Sequence, residues 1–316
     1  MLYFIVNITS GTGQGKKVWS RLRATLKSKN IEYKAFATRY EGHATELACK
    51  ISSLKDDDIC LVVIGGDGTI NEVLNGIKDF DKVRFAAISN GSGNDFARGM
   101  GLPSDAVENL NSIIEAASKG KDYYFGIDLG KALWNNGVNS RIFGISAGIG
   151  LDAIVCQKAL HSRLKKVLNY LHMGKLTYIF LTVYSLFSMD TVDIDLKLED
   201  TNGVTLNSHM NKLIFLAAMN QFAEGGGVPM APDASCTDGL LSFSSASGIP
   251  KWRTFFCLPL LMAAKQENIR GFEIVNGSCL QLKMSKPIVL HTDGEDCGEV
   301  TDVTFTCLKG KLKYLK

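Results

Sequence analysis

The stretch ICLVVIGGDGT, Ile59 to Thr69, decides the fold of the first part of this chain. Its six leading residues are all apolar, which is typical of a central strand buried on both faces of a parallel sheet. Gly65-Gly66-Asp67-Gly68 follows at once, and helical spacing begins at Ile70. Glycines at such a turn let backbone N–H groups approach a phosphate, and the helix adds its positive N-terminus. The alternative is a plain strand-to-helix turn, but the pattern favours phosphate binding, with Asp67 placed to meet a bridging Mg²⁺.

Two more glycine-rich turns also follow predicted strands. They read NITSGTG, from Asn7 to Gly13, and NGSGNDF, from Asn90 to Phe96. Each is a weak signal alone, because Gly and Asn are ordinary turn residues. The carboxyl ends of parallel strands meet at one edge of a sheet, where doubly wound folds bind ligands, so together the turns predict a nucleotide site. The chain has no G-x-x-x-x-G-K-[ST] sequence and is therefore not a P-loop protein.

Strand and helix patterns divide the chain into two predicted domains. Residues 1–126 alternate strands with helices, which predicts an α/β domain with a doubly wound parallel sheet. Residues 127–307 are richer in strands and predict an antiparallel β-sandwich. Helical regions are expected in it at about 150–188 and 251–266. The last residues, 308–316, are candidates for a return to the first domain.

Composition narrows the function classes. Of the 316 residues 46% are hydrophobic and 21% charged, which are values of a globular chain, and the net charge of +3 does not support binding to nucleic acid. None of the eight cysteines lies in a C-x-x-C pair, so no zinc site is expected. We interpret the cysteines as small buried residues of a protein in a reducing compartment. The longest apolar run, Tyr178–Met189, is too short and too polar to span a membrane. We expect a cytoplasmic protein that touches membranes only peripherally.

Two motifs carry a family resemblance. GGDGTINEVLNG at 65–76 and GSGNDFARGMGLP at 91–103 closely resemble the diacylglycerol kinase catalytic domain of soluble bacterial lipid kinases. GIDLG at 126–130, SAGIGLDA at 146–153, PMAPDASCTDGLL at 229–241 and TDGE at 292–295 match further motifs in the family's order. The resemblance implies a nucleotide domain like that of NAD kinases and phosphofructokinases, a β-sandwich domain, and an active site in the cleft between them. It also implies Mg²⁺-dependent transfer of the ATP γ-phosphate to a lipid hydroxyl, with diacylglycerol as the first candidate.

Residue roles follow from the resemblance position by position. Glu295 matches the catalytic base, and Asp67 is the second catalytic candidate. Asp238 matches a side-chain ligand of a structural Mg²⁺, with the backbone carbonyls of Ser235 and Leu240 beside it. The residues that match or adjoin ATP-contacting positions are Asn7, Ser10, Gly11, Thr38, Gly65, Gly66, Asp67, Gly68, Thr69, Asn71, Glu72, Ser92, Asn94 and Asp95. Two positions depart from the family pattern, Ile8 where proline is usual and Thr292 where an aliphatic residue is common.

Several alternatives stay open at this point. From the residues alone, 291–296 is equally well an acidic hairpin turn. The stretch 160–189, with Arg163, Lys165, Lys166 and Lys175 among apolar residues, is either a lipid-facing surface or a helix packed on the sandwich with a solvated basic face. A kinase for a soluble substrate such as NAD is disfavoured by GSGNDFARG, and a silent nucleotide-binding regulator by the intact acidic residues. The identity of the lipid and a homodimer are also open.

Overall fold

The computed structural model describes residues 1–161, 182–200 and 203–316, and these form two compact units. The first unit is Met1–Leu129 together with Lys309–Lys316, and the second is Gly130–Leu308. The first unit therefore contains both the start and the end of the chain.

The first unit is built on a parallel sheet. Its strand order is β2-β1-β3-β4-β13, and Lys313 and Tyr314 of β13 lie beside Arg84 and Phe85 of β4. Since β3 is buried along its whole length, the apolar run of six residues is explained by layers on both of its faces. The predicted doubly wound sheet is confirmed. Its strands are β1 (Leu2–Val6), β2 (Tyr33–Ala37), β3 (Ile59–Gly65), β4 (Val83–Ser89) and the end of β13 (Glu295–Tyr314).

Helices cover this sheet. Helices α2 and α6 bury Leu22, Leu26, Leu110 and Ile113 in one core with alternate residues of the strands. Helices α3 and α4 pack closely together, because Gly76 has no side chain and Thr45 donates a hydrogen bond to the Glu72 carbonyl. The helices are α1 (Ser10–Gly13), α2 (Gly15–Ser28), α3 (His43–Ser52), α4 (Asp67–Gly76), α5 (Asp95–Gly99) and α6 (Ala106–Ser118).

The second unit is antiparallel. Strands β9 and β12 are long, and each pairs with β7 along one part of its length and with β8 along another. Strand β8 alternates buried and exposed residues, as a strand with one face on a core does. The predicted β-sandwich is confirmed. Its strands are β5 (Phe125–Trp134), β6 (Asn139–Phe143), β7 (Ser146–Gly150), β8 (Val192–Glu199), β9 (Thr205–Met219), β10 (Leu241–Ser247), β11 (Phe272–Gly277), β12 (Cys279–Thr292) and the first part of β13.

Two of these strands adjoin in the chain. Strand β11 ends at Gly277, and β12 then runs from Cys279 to Thr292 with a register shift between Lys283 and Ile288. A side chain at position 277 would meet the Glu199 carbonyl at 2.5 Å, so this glycine marks a close approach of backbones. An apolar pattern does not reveal such an approach.

Helices of the second unit are α7 (Leu151–His161), a helical segment at 182–188, and α8 (Lys251–Met262). A 3₁₀ turn at Gln266–Asn268 follows. Much of the stretch 160–189, including Arg163, Lys165, Lys166 and Lys175, lies outside the described residues, so both interpretations of it stay predictions. Within the part of the chain that is described, every helix is too short or too polar to cross a bilayer.

A buried ion pair stabilises the edge of the first sheet opposite the glycine turns. The guanidinium of Arg84, of which only 4% is exposed, donates two hydrogen bonds of 2.7 Å to the Asp58 carboxylate and a third to the Gly120 carbonyl. Arg84 lies on β4, whereas Asp58 precedes β3 and Gly120 follows α6. Three separate segments therefore meet at one cation. A buried guanidinium is tolerated only when its donors are satisfied in this way.

Asp58→Asn should lower the free energy of unfolding by about 1–3 kcal/mol, because it leaves the buried cation with a neutral partner. The matched control is Asp57→Asn, since Asp57 is 95% exposed and lies 3.9 Å from Lys82. It should change the free energy by less than about 0.5 kcal/mol. Urea unfolding followed by circular dichroism measures both. Equal effects in the two variants would contradict the role of the Arg84–Asp58 pair.

Candidate functional site

The structure brings the three glycine-rich turns together at the carboxyl edge of the parallel sheet. Val6 lies beside Ile64, and Gly65 lies beside Ser89, so strands β1, β3 and β4 end at one level. The turns continue this pairing. The Asn7 N–H donates to the Ile64 carbonyl at 2.8 Å, and the Asn90 N–H donates to the Gly65 carbonyl at 2.7 Å.

The turns can touch because the residues at their points of contact are glycines, which have no Cβ. A Cβ on Gly91 would lie 2.7 Å from the Cα of Gly66, and a Cβ on Gly66 would lie 3.1 Å from the Cα of Gly91. A Cβ on Gly11, where φ is +59°, would lie 2.8 Å from the Asn90 carbonyl oxygen. The glycines are therefore needed for the contact between the turns, apart from any access that they would give a ligand to the backbone.

Counted in chain order, the three turns are at 7–13, 65–68 and 90–96, and Asp67 joins the second turn to the third. Its two carboxylate oxygens accept hydrogen bonds from the N–H groups of Asp95 and Phe96, each at 3.1 Å. These N–H groups begin α5, so Asp67 acts as a cap on a helix that belongs to another turn. Asp95 itself is buried and pairs with Arg98, whose guanidinium also donates to the Gly93 carbonyl.

Asn7 and Ser10 connect the first turn to the other two. The Asn7 amide nitrogen donates to the Thr69 hydroxyl at 2.9 Å, and its oxygen accepts from the Thr9 N–H and hydroxyl. The Ser10 hydroxyl donates to the Asn7 carbonyl at 2.8 Å and accepts from the Asn90 amide at 3.3 Å. Polar residues chosen from sequence as nucleotide contacts thus also hold the turns in place.

Other predicted contacts lie in different surroundings. Glu72 accepts a hydrogen bond from the Ala44 N–H at 3.0 Å, which caps α3, and Asn71 is fully buried. The Thr38 N–H donates to the Val6 carbonyl at 2.9 Å, so Thr38 does lie at the carboxyl edge. Ser92 is exposed at the third turn. The structure therefore gives Glu72 and Asn71 a packing role that the sequence did not reveal.

Helix α4 offers its N-terminus at the centre of the three turns. It has ten residues, and its N-cap is Gly66 in an extended conformation without a side-chain cap. The Ile70 N–H bonds to the Gly66 carbonyl, which closes the first turn of the helix. First-turn N–H groups of a helix lack intrahelical partners and carry partial positive charge, which suits a phosphate.

In the second unit, Glu295 follows a tight hairpin turn between β12 and β13. Asp293 and Gly294, with φ of +50° and +84°, form the turn between Thr292 and Glu295. The Asp293 carboxylate accepts N–H groups from residues 144, 145 and 146 at 2.9, 2.8 and 3.1 Å. The acidic turn is thus both a hairpin and an anchored loop, and the half-buried Glu295 is held at its end.

His291 supports this turn from beneath. It is 2% exposed, its Nδ1 accepts the Gly294 N–H at 3.2 Å, and its Nε2 lies 3.1 Å from the Asp152 carboxylate. Because Nδ1 accepts, we assign the proton to Nε2, which then donates to Asp152. Burial alone would lower the pKa of His291, but the hydrogen bond and charge of Asp152 outweigh it and the pKa is raised. The charges of Glu224 and Asp293 act in the same direction.

Asp152, Glu224 and His291 have potential ligand atoms within 4.8 Å of one another. Glu224 already accepts a hydrogen bond from the Ser146 hydroxyl, and His291 Nε2 carries the proton that bonds to Asp152. A protonated nitrogen has no lone pair for a metal. The observed contacts are instead hydrogen bonds that connect the Glu295 turn through His291 to Asp152 on α7. Nothing in the sequence pattern linked these distant residues.

Asp238 lies in an exposed turn before β10. Its carboxylate accepts the Leu240 N–H at 2.9 Å, and the Ser235 hydroxyl bonds to the Thr237 hydroxyl at 3.0 Å. One carboxylate and two backbone carbonyls close in sequence form an all-oxygen donor set, which suits a hard cation such as Mg²⁺. The residues present fit the ion that the resemblance implies.

Asp67→Ala should destabilise the first unit by about 1–2 kcal/mol, because it removes the cap from α5 and the link between two turns. Backbone amides of Asp95 and Phe96 should then exchange with solvent faster. Thermal unfolding and amide hydrogen exchange measure these effects. Asp105→Ala is the matched control, because Asp105 likewise caps a helix through the N–H groups of Val107 and Glu108, but at α6. Unchanged exchange at Asp95 and Phe96 in Asp67→Ala would contradict the link.

Family models match both parts of the chain. Residues 1–124 match the diacylglycerol kinase catalytic domain, and residues 145–316 match the YegS C-terminal NAD kinase beta sandwich-like domain. YtlR of Bacillus subtilis, provisionally named a lipid kinase, is 26% identical over 299 residues, which are 94% of this chain and 93% of that protein. A diacylglycerol kinase of Staphylococcus saprophyticus is 31% identical over 239 residues, which are 74% of this chain and 69% of that protein.

Solved structures share the fold. A diacylglycerol kinase from Bacillus anthracis has a TM-score of 0.67 at 19% identity, covering 99% of this chain and 96% of that one. An NAD kinase from Archaeoglobus fulgidus, solved in complex with ATP, has a TM-score of 0.52 at 14% identity and covers 100% and 94%. With family models matched over both of its parts, the chain belongs to the diacylglycerol kinase family of lipid kinases.

Proposed function

We propose that this protein transfers the γ-phosphate of Mg²⁺-ATP to the hydroxyl of a lipid, with diacylglycerol as the first candidate. The observation that carries the proposal is the joining of three glycine-rich turns around the N-terminus of α4. Gly66 and Gly91 touch there, and Asp67 bridges the second and third turns. Family membership supports the transfer to a lipid.

The turns would bind the nucleotide mainly through backbone groups. N–H groups at the start of α4 would meet the phosphates, and the cross-links made by Asn7 and Ser10 would keep the turns rigid. Phosphoryl transfer passes through a loose transition state, so positioning and charge neutralisation contribute most of the catalysis. A cradle whose parts are held by one another loses little free energy to reorganisation when it binds.

Glu295 would act on the lipid hydroxyl. That oxygen attacks the γ-phosphorus, the bond from the γ-phosphorus to the bridging oxygen of ADP breaks, and the hydroxyl proton passes to the Glu295 carboxylate. The anchoring of the turn by Asp293 and His291 would keep the carboxylate oriented. Asp238, with the carbonyls of Ser235 and Leu240, would hold a structural Mg²⁺ that stabilises the second unit.

Incubation with γ-labelled ATP and a total lipid extract tests the proposal. One labelled lipid should form, it should require Mg²⁺, and diacylglycerol added alone should give labelled phosphatidic acid. Label found only in a water-soluble product such as NADP would favour the soluble-substrate alternative. Nucleotide binding without any transfer would favour a silent regulator. Either result would overturn the proposal.

Glu295→Gln should slow lipid phosphorylation by about 10²–10⁴-fold, because glutamine keeps the size and hydrogen bonding of the side chain but accepts no proton. ATP affinity, measured by calorimetry on the same preparation, should not change. Glu299→Gln is the control, since Glu299 is exposed on the same strand. A loss of ATP affinity in proportion to the loss of rate would assign Glu295 to nucleotide or metal binding instead.

Asp238→Ala should remove the stabilisation that Mg²⁺ gives the protein. At a Mg²⁺ concentration of about 100 times Kd, wild-type stability should rise by roughly 2–3 kcal/mol, and this rise should disappear in the variant together with part of the activity. Thermal unfolding with and without a chelator measures it. Asp233→Ala changes an exposed aspartate of the same loop and should respond to Mg²⁺ as the wild type does. An unchanged Mg²⁺ response in Asp238→Ala would rule the site out.

A further inference from the structure

Helix α8 turns its large apolar side chains toward solvent. Trp252, Phe256 and Met262 are 57%, 68% and 57% exposed, and Phe255 is 40% exposed. Phe255 and Phe256 follow Trp252 by three and four residues, and Met262 follows these two by seven and six. This spacing places all four on one side of a helix. We call these four residues the outer face of α8. The opposite side carries Thr254, which is buried, and Leu261, which packs on the core of the second unit.

This distribution is the reverse of an ordinary surface helix. Such helices direct their apolar stripe inward and present charged residues to water. Where a monomeric protein exposes a large apolar patch, the patch commonly marks an interaction site. The core does not need these side chains, since Leu261 already contacts it.

A second exposed aromatic segment is joined to α8. Tyr184 and Phe187, in the helical segment 182–188, are 57% and 54% exposed. The Lys251 ammonium group, at the start of α8, donates to the carbonyls of Phe187, at 3.5 Å, and Met189. A cation at the C-terminal carbonyls of a helix is favourable, so the junction is stable. The outer face of α8 together with Tyr184 and Phe187 is called the aromatic patch below.

The patch has a positively charged border. Lys251, Arg253 and Lys265 are the only charged residues between 250 and 265, and all are basic. The Arg253 guanidinium lies 5.2 Å from the Trp252 ring centre, and the Lys158 ammonium lies 4.5 Å from that of Tyr184. Aromatic rings with adjacent cations match the boundary of a bilayer, where apolar chains meet anionic headgroups.

We propose that the aromatic patch is the surface by which this protein docks on an anionic bilayer, with Trp252, Phe255 and Phe256 entering the headgroup region. The inference rests on the proposed function, because a lipid kinase must meet its substrate in a membrane. It extends the contact from the stretch 160–189, which the sequence suggested and which holds Tyr184 and Phe187, to α8. The positive border favours an anionic lipid surface over a second copy of this chain, whose own patch would carry the same charge.

Vesicle binding in the absence of nucleotide tests the docking surface. Wild-type protein should sediment with vesicles of phosphatidylcholine and phosphatidylglycerol, more weakly with phosphatidylcholine alone, and less at high salt. The double variant Trp252→Ala/Phe256→Ala should lose about tenfold or more in affinity, since two aromatic side chains no longer leave water. Arg253→Ala should lose about fivefold, and only on the anionic vesicles. Phe125→Ala, which removes a 49% exposed phenylalanine of the first unit, should bind as the wild type does.

Tryptophan fluorescence gives a second, local readout. Trp252 is 57% exposed, whereas Trp134 is 9% exposed. Vesicles with brominated acyl chains should therefore quench wild-type emission, and Trp252→Phe should abolish most of that quenching. Circular dichroism shows whether each variant is folded. Because the substituted side chains are exposed, their replacement should leave the unfolding temperature unchanged.

The outcomes separate this proposal from the proposed function. If both proposals are right, the double variant should phosphorylate short-chain diacylglycerol in detergent at the wild-type rate. It should phosphorylate diacylglycerol in vesicles more slowly than the wild type does. If wild-type protein binds no vesicles, or the double variant binds them equally well, the docking surface is wrong while the kinase can still be right. If instead the double variant abolishes a wild-type dimer and leaves vesicle binding intact, the patch is an interface between copies. If binding depends on the patch but no lipid is phosphorylated, the docking surface stands and the kinase proposal fails.

Discussion

The contact between the backbones of Gly66 and Gly91 is the constraint on which the first unit depends. Two turns that each follow a parallel strand can touch only where neither carries a Cβ, and here the hypothetical side-chain atom would lie 2.7 Å from the neighbouring Cα. With the turns in contact, the Asp67 carboxylate reaches the first N–H groups of α5. The same glycines that would admit a phosphate therefore also assemble the place proposed for its binding.

In the second unit, too, one carboxylate fixes the position of a turn. Asp293 accepts three successive N–H groups, those of residues 144 and 145 and that of Ser146 at the start of β7. His291 adds a bond from the same hairpin to α7 through Asp152. The proposed role of Glu295 as general base requires its carboxylate to stay within hydrogen-bond reach of the substrate, and a turn fastened at several points supports that role. Gly148 belongs to this arrangement, because a Cβ there would lie 1.9 Å from an Asp152 oxygen.

The two units illustrate different ways of using apolar residues. Strand β3 is buried along its whole length, so its apolar residues contribute to folding alone. Helix α8 buries a narrow side and exposes Trp252 and Phe256, so part of its apolar content stabilises nothing in the isolated chain. Exposed aromatic area is unfavourable in water and becomes favourable only against a partner. That difference is why a composition typical of globular proteins says little about where a chain meets its surroundings.

The sequence by itself determined the parallel sheet, the three glycine-rich turns and the family, because these depend on local periodicity and on residues adjacent in the chain. An unbroken apolar run followed by GGDG restricts the local backbone whatever the rest of the molecule does. Only the tertiary structure decided that Asp67 caps α5, that Glu72 caps α3, and that His291 and Asp152 support the Glu295 turn. Each of these is a hydrogen bond between segments far apart in sequence, and periodicity carries no information about such partners. The outward direction of Trp252 and Phe256 was also decided there, because the pattern of a helix shows which residues share a side but not which side meets the core.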